Sequence, residues 1–194
     1  MPEDGTGPPA RHGAPSRIAG IEVRPARRAD ARSFRDAYGS VAAERRFIQT
    51  ERITSSVRDY KRRFRRSWTA REANLVAAEG SRIVGSLSIR RDEPLATRHV
   101  ATLGMFVIAS HRGRGVGTAL MAEAMRWASE HEIERVELTV YPHNVAAIAL
   151  YRRFGFVEEG RLVRHAKKSY GYEDEILMAR WLGPEPAPSD AGGS

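Results

Sequence analysis

Apolar residues recur along the chain with two periods, and the switches between them divide it into elements. Ile21 and Val23 alternate with polar neighbours, as a half-buried strand requires, and Pro25 ends that run. Asp30 stands where a cap is expected, ahead of a helix reaching about Arg45. A second helix is expected over Ser55–Arg66. Its Val57, Tyr60 and Phe64 share one face, and Arg58, Lys61, Arg62 and Arg65 occupy the rest. Leu75–Glu79 and Ile83–Ile89 read as a hairpin turning at Gly80-Ser81, and His99–Ile108 as a further strand. A helix from about Gly117 to His131 follows. In the next strand, Val136–Tyr141, Val136, Leu138 and Val140 alternate with Glu137, Thr139 and Tyr141. Asn144 is placed to cap a helix that ends before Gly155. Phe156–Arg164 and Tyr172–Trp181 read as the closing strands. The order β-α-α-β-β-β-α-β-α-β-β contains one strand–helix–strand crossover, from 99 to 141, which places parallel strands in one sheet. Hairpins on either side make that sheet mixed. The expected architecture is an α/β domain with a central, mixed, twisted sheet flanked by helices.

Composition narrows the class. Of the 194 residues, 1–17 and 183–194 are rich in small residues and proline and nearly lack large apolar ones. They read as disordered tails around a folded domain at 18–182. There is no cysteine, which excludes disulfides, a thiolate nucleophile and thiolate metal ligands. No metal is expected. No run approaches the roughly 18 apolar residues of a membrane span, and the N-terminus lacks the apolar segment of a signal peptide. A cytoplasmic protein with no membrane partner is expected. The net charge is +8, and Lys61, Lys167 and Lys168 are the only lysines, so the positive charge is nearly all arginine. Arginine's planar fork suits phosphates and carboxylates. No nucleic-acid motif or aromatic platform accompanies it. Nucleic acid is therefore not an expected partner, and the charge serves an acidic small molecule or plain solubility.

The segment HRGRGVGTAL, 111–120, sets three glycines and two arginines within seven positions just before a helix. A helix start carries unpaired N–H groups and partial positive charge, which favour anions. Glycines let those N–H groups approach a ligand. Arg112, Gly113, Arg114, Gly115, Val116, Gly117 and Thr118 thus read as a diphosphate cradle or as a glycine-rich surface turn. The spacing matches neither a Walker loop nor the GxGxxG dinucleotide fingerprint.

A second motif lies downstream, NVAAIALYRRFGF at 144–156. The pair, Arg112-x-x-Gly115-x-Gly117 after one strand and Asn144…Leu150-Tyr151…Gly155-Phe156 after the next, resembles the GCN5-related N-acetyltransferase (GNAT) family. The likeness runs over about 20–182 and is strongest from His99 to Trp181. The resemblance implies acetyl-CoA as co-substrate, lying where two parallel strands, Thr102–Ile108 and Val136–Tyr141, splay apart. Backbone groups of Met105, Phe106 and Val107 would bond its pantetheine arm, and Arg112–Thr118 would hold its diphosphate. A strand N–H near Phe106 or Val107 would face the developing oxyanion. Asn144 would bond the same arm, with Ala147 leaving room beside it. Tyr151, seven residues on and so on the same helix face, would protonate the departing thiolate.

The resemblance further implies N-acetylation of a primary amine by direct attack, with an amino acid or related small amine as acceptor. The alternatives are a peptide or protein N-terminus, or a module that binds acyl-CoA without chemistry. Relatives acting on protein N-termini carry a Glu where this chain has Thr139. Glu44, Glu79, Glu137, His99, His143 and a water chain all stay open as the route for the amine's proton. Glu173, Asp174 and Glu175 read either as attracting a cationic amine or as exposed edge charge. The arginines of the second helix read either as receiving a carboxylate or as a solvated face. A homodimer is left open.

Overall fold

The computed structural model describes residues 16–184. Its strands are β1 (Ser16–Ile18), β2 (Ile21–Pro25), β3 (Glu72–Glu79), β4 (Arg82–Arg91), β5 (Val100–Val107), β6 (Arg135–Val140), β7 (Val157–Lys168) and β8 (Gly171–Trp181). The helices are α1 (Ala31–Ala43), α2 (Val57–Arg63), α3 (Val116–Glu130) and α4 (Val145–Arg153). All eight strands join one sheet in the order β1-β2-β3-β4-β5-β6-β8-β7. β5 and β6 are parallel, and every other neighbouring pair is antiparallel. The mixed α/β expectation holds.

Periodicity explains the packing. Val116, Leu120, Met121, Ala124, Trp127 and Ala128 form one buried stripe on α3, and the Trp127 indole donates to the Thr69 carbonyl at 2.8 Å. On the opposite face of the sheet, α1 buries Phe34, whose ring meets Tyr60 and Phe64 around α2 and Phe106 of β5. Because helices cover both faces, β3 is buried without alternation from Ala73 to Ala78.

Three local expectations are corrected. Ser16 and Arg17, expected in the N-terminal tail, pair with Val23 and Glu22 in β1. Three residues with one large apolar side chain show no readable period, so this strand exists only because β2 offers it an edge. Gly183, expected in the C-terminal tail, donates to the Glu134 carbonyl. Of both expected tails, 1–15 and 185–194 lie outside the described residues. Asp30 does not cap α1 through its side chain. Its carboxylate instead takes the Arg24 fork at 2.7 and 2.9 Å and the Arg27 N–H at 2.6 Å, in a largely buried ion pair. Burial pushes that carboxyl up, but the Arg24 hydrogen bonds, the Arg27 N–H and the Arg24 charge outweigh it and hold Asp30 below the usual range.

Candidate active site

β5 and β6 pair only over Val100–Thr102 and Arg135–Glu137. Beyond that point β5 stays bonded to β4 as far as Val107, and β6 to β8 as far as Val140. Each strand follows its own antiparallel partner, so the parallel pair diverges. A cavity of about 1270 Å³ opens at the divergence and extends beneath α1 and the loop between α1 and α2.

The ladder decides which backbone groups face the gap. Ile108 N–H donates to the Val84 carbonyl of β4. Alternation along an antiparallel ladder then turns the amide of Phe106 toward β4 and those of Met105 and Val107 toward the gap. Phe106 therefore brings not its backbone, as expected, but its ring, set 5.6 Å from Phe34 and 5.2 Å from Tyr38.

The glycine loop is built from positive φ. Gly113 has φ 72° and Gly115 φ 80°, a region costly for residues bearing Cβ. A Cβ at Gly113 would meet nothing within 4 Å, whereas one at Gly115 would stand 2.7 Å from Ile18 Cδ1. Gly115 is thus needed for its turn and for seating β1, not for clearance on the cavity side. Gly117 lets α3 approach Leu150 of α4 and Met105 of β5. Val116 is buried and Thr118 exposed at the first turn of α3. Arg112 is less free than its motif implies. Its fork grips Glu44 at 2.6 and 2.7 Å, its Nε donates to the Val107 carbonyl at 2.9 Å, and its head lies over Phe47. Arg112 therefore ties the glycine loop to the loop after α1. Arg114 is exposed and has no partner among the described residues.

Asn144 caps α4, accepting from the Ala147 N–H at 3.4 Å, and Asn144, Ala147 and Tyr151 all border the cavity. Tyr151 is 5% exposed and packs on Phe156. Its hydroxyl has no hydrogen-bond partner among the described residues, and desolvation pushes the phenol up to about 12. It is a neutral donor throughout the ordinary pH range.

Directly opposite residues share a sheet face, so the registers define rows under α1 and α2. Asn74, Ser88 and Gly104 form one row, and Thr139 and Leu177 pair beyond the gap. Glu72, Arg90, Thr102 and Glu137 form the next. A Cβ at Gly104 would meet nothing within 4 Å, so the floor at the strand divergence is bare. Sequence reasoning missed Gly104, because a lone glycine inside a strand carries no local signal of what it leaves open.

Of the proton acceptors considered from the sequence, Glu137 borders the cavity, paired to Arg135 at 3.3 Å. Glu44 is held by Arg112, Glu79 lies 3.4 Å from His111, His143 Nε2 is bonded to the Arg46 carbonyl, and His99 packs on Trp181. The acidic cluster splits. Asp174 binds Arg161 and the Arg164 N–H, and Glu173 binds Tyr170. Glu175 alone is buried, with both oxygens accepting from Gln49 Nε2 at 2.9 and 3.1 Å. This bond, with Lys168 to the Ile48 and Gln49 carbonyls, clamps the loop after α1 onto the β7–β8 hairpin and roofs the cavity. On α2, Arg62 pairs with Asp59 on the outer face. Arg63, not singled out from the sequence among the arginines of that helix, borders the cavity. Desolvation holds its guanidinium below the usual pKa, partly offset by Glu72.

The acetyltransferase (GNAT) family model matches residues 41–156, which span both diverging strands, the glycine loop and α4. The chain belongs to the acetyltransferase (GNAT) family. It is 36% identical over 107 residues to the L-amino acid N-acetyltransferase AaaT of Escherichia coli (strain K12), a match covering 55% of this chain and 66% of that protein. Among solved structures, an acetyltransferase of the GNAT family from Streptococcus pneumoniae superposes with a TM-score of 0.78 at 27% identity, covering 84% of this chain and 99% of that one. A phosphinothricin acetyltransferase from Sinorhizobium meliloti, solved in complex with AcCoA, shares the fold with a TM-score of 0.75 at 22% identity, covering 88% of this chain and 95% of that one. No helix among the described residues is long and apolar enough to cross a membrane.

Proposed function

We propose that this chain transfers the acetyl group of acetyl-CoA to the primary amine of a small acceptor, an amino acid or a related compound, by direct attack in a ternary complex. The observation that carries the reading is the divergence of β5 and β6 beside a buried tyrosine that lines the cavity with its hydroxyl unpartnered among the described residues. Family membership and the activity named for AaaT support the same reaction.

The residues present fit the co-substrate. Met105 and Val107 offer backbone groups along the gap, as an edge offers them to an added strand. The open side of Gly113 and the first turn of α3, Val116 to Thr118, offer N–H groups to a diphosphate. Asn144 keeps its amide NH₂ free for the pantetheine arm while its oxygen caps α4. When bound, acetyl-CoA supplies the thioester carbon to which the amine bonds as the C–S bond breaks. Tyr151 gives its phenolic proton to the departing sulfur and regains one from solvent. The Val107 N–H faces the carbonyl oxygen as it gains charge. The amine's proton goes to solvent or to Glu137. The phenylalanine-lined wall under α1 excludes water that would otherwise hydrolyse the thioester.

The test is turnover by the purified chain over a panel of primary amines, followed as free CoA thiol and as acetylated product by mass spectrometry. Thiol release that requires an amine is expected. Acetyl-CoA that binds yet is not consumed with any amine defeats the reading.

A further inference from the structure

We propose that Arg63, aimed by Asn74, receives the carboxylate of the acceptor, so that this chain acetylates the α-amino group of compounds that bear a free carboxylate beside it. The assignment rests on the acetyl-transfer reading above and adds the group that selects the acceptor.

Arg63 is the last residue of α2 and differs from the other cations of that helix by bordering the cavity. Its Nε donates to Asn74 Oδ1 at 2.7 Å, and its two terminal nitrogens have no acceptor among the described residues. Glu72, whose charge acts on Arg63, is paired with Arg90 at 3.2 Å. A guanidinium held at Nε with its outer edge free matches a carboxylate through two parallel N–H···O bonds.

Asn74 has no other evident reason to be where it is. It is 3% exposed within the apolar run of β3, and its Nδ2 is buried without a partner. A buried unsatisfied amide group destabilises a fold, and an apolar residue would suit that run better. Its side chain makes one bond, to Arg63. Aiming the guanidinium is the return for that cost.

The register places the pair usefully. Ser88 of β4 lies opposite Asn74 and, on its other side, opposite Gly104. Its hydroxyl borders the cavity and makes no hydrogen bond among the described residues. One strand spacing, roughly 4.8 Å, separates Ser88 from the bare floor at Gly104, where β5 and β6 diverge. A carboxylate on Arg63 and Ser88 therefore leaves an adjacent amine above the gap. The span suits an α-amino acid and is too short for an amine at the end of a long chain.

The experiment compares amino acids with their carboxamides on the wild type, Arg63→Gln and Asn74→Leu. Steady-state turnover is measured with both members of each pair, and calorimetry measures their binding to the CoA-saturated protein. The amide's amine is the less basic, so basicity alone favours the amide. We expect the wild type to prefer the acid, and Arg63→Gln to lose roughly 30-fold or more in kcat/KM for the acid, mainly in KM, with little change for the amide. Asn74→Leu keeps or raises Tm while its KM for the acid rises, a split that a merely structural tie between α2 and β3 does not produce. The KM for acetyl-CoA stays constant in both. Equal use of acid and amide by the wild type, or a preference that survives Arg63→Gln, overturns the assignment and leaves acetyl transfer standing. If no amine is acetylated although acetyl-CoA binds, the transfer reading fails, and the calorimetric preference for acid over amide still decides the role of Arg63.

Discussion

Gly104→Val separates the site from the fold, because the two respond in opposite directions. The glycine lies within β5 with ordinary backbone geometry, and a Cβ there meets no atom within 4 Å. A side chain there therefore starts in open space. Glycine inside a strand is roughly 0.5–1 kcal/mol less favourable than alanine, and valine suits a strand better still. The variant should gain about 1 kcal/mol, which for a chain of this length raises Tm by about 2–4 °C. The same side chain projects from the sheet face under α1, beside Ser88 at the strand divergence, where the proposed acceptor amine would sit. Displacing reacting atoms by about 1 Å can cost 10²-fold, so kcat/KM for the acceptor should fall by roughly that factor. The backbone groups of Met105 and Val107 proposed for the pantetheine arm lie in the plane of the sheet, so the KM for acetyl-CoA should hold. Thermal denaturation and steady-state kinetics with each substrate varied in turn check both halves. A variant that is more stable and fully active refutes the placement of the acceptor. One that loses Tm refutes the open space.

Tyr151→Phe should leave Tm within experimental scatter, because the hydroxyl has no hydrogen-bond partner among the described residues, and lower kcat by roughly 10²–10⁴ with acetyl-CoA binding intact; unchanged kcat assigns the proton to another group. Since burial holds that phenol near 12, the wild-type rate should show no alkaline loss from Tyr151 ionisation below about pH 11, and a pH–rate profile checks this. Gly115→Ala should cost about 1–2 kcal/mol from its left-handed φ, with Ile18 displaced as well, and should weaken acetyl-CoA binding by shifting the loop backbone; denaturant titration and a binding isotherm read the two effects. The Asp30 carboxyl sits below its unfolded value, so its contribution is complete above about pH 4 and is lost as pH falls through the folded value. Arg24→Met strands that carboxylate and should cost roughly 3–5 kcal/mol at pH 7, with a smaller deficit at pH 3 where Asp30 takes up a proton; an equal deficit at both pH values argues against the pair.

What is legible in this sequence is what neighbouring residues decide together. Asn144 caps α4 because the cap and its N–H are three residues apart. The stripe of α3 follows from a period of 3.6, and Gly113 and Gly115 take left-handed φ within a single loop. Those short-range signals place the glycine loop and Tyr151 on the right elements and point to the family. They do not say that Arg112 is spent on Glu44, which is 68 residues away, or that Phe106 turns its amide to β4. Neither fact is encoded near the residue that shows it.

The tertiary structure alone decided where the candidate site opens. The gap between β5 and β6 exists because each strand keeps faith with a different antiparallel neighbour, a competition that no single segment contains. The row Asn74–Ser88–Gly104 draws one residue from each of three strands, and a shift of one position in any pairing would send that residue to the opposite face. Arg63 and Arg62 are alike as letters, and only the bond to Asn74 of β3 holds one at the cavity while the other pairs with Asp59 on its own helix. Sequence periodicity determined the elements because hydrogen bonding and burial along a chain are local. Register and approach between distant segments determined the site, because those depend on the free energy of the whole sheet.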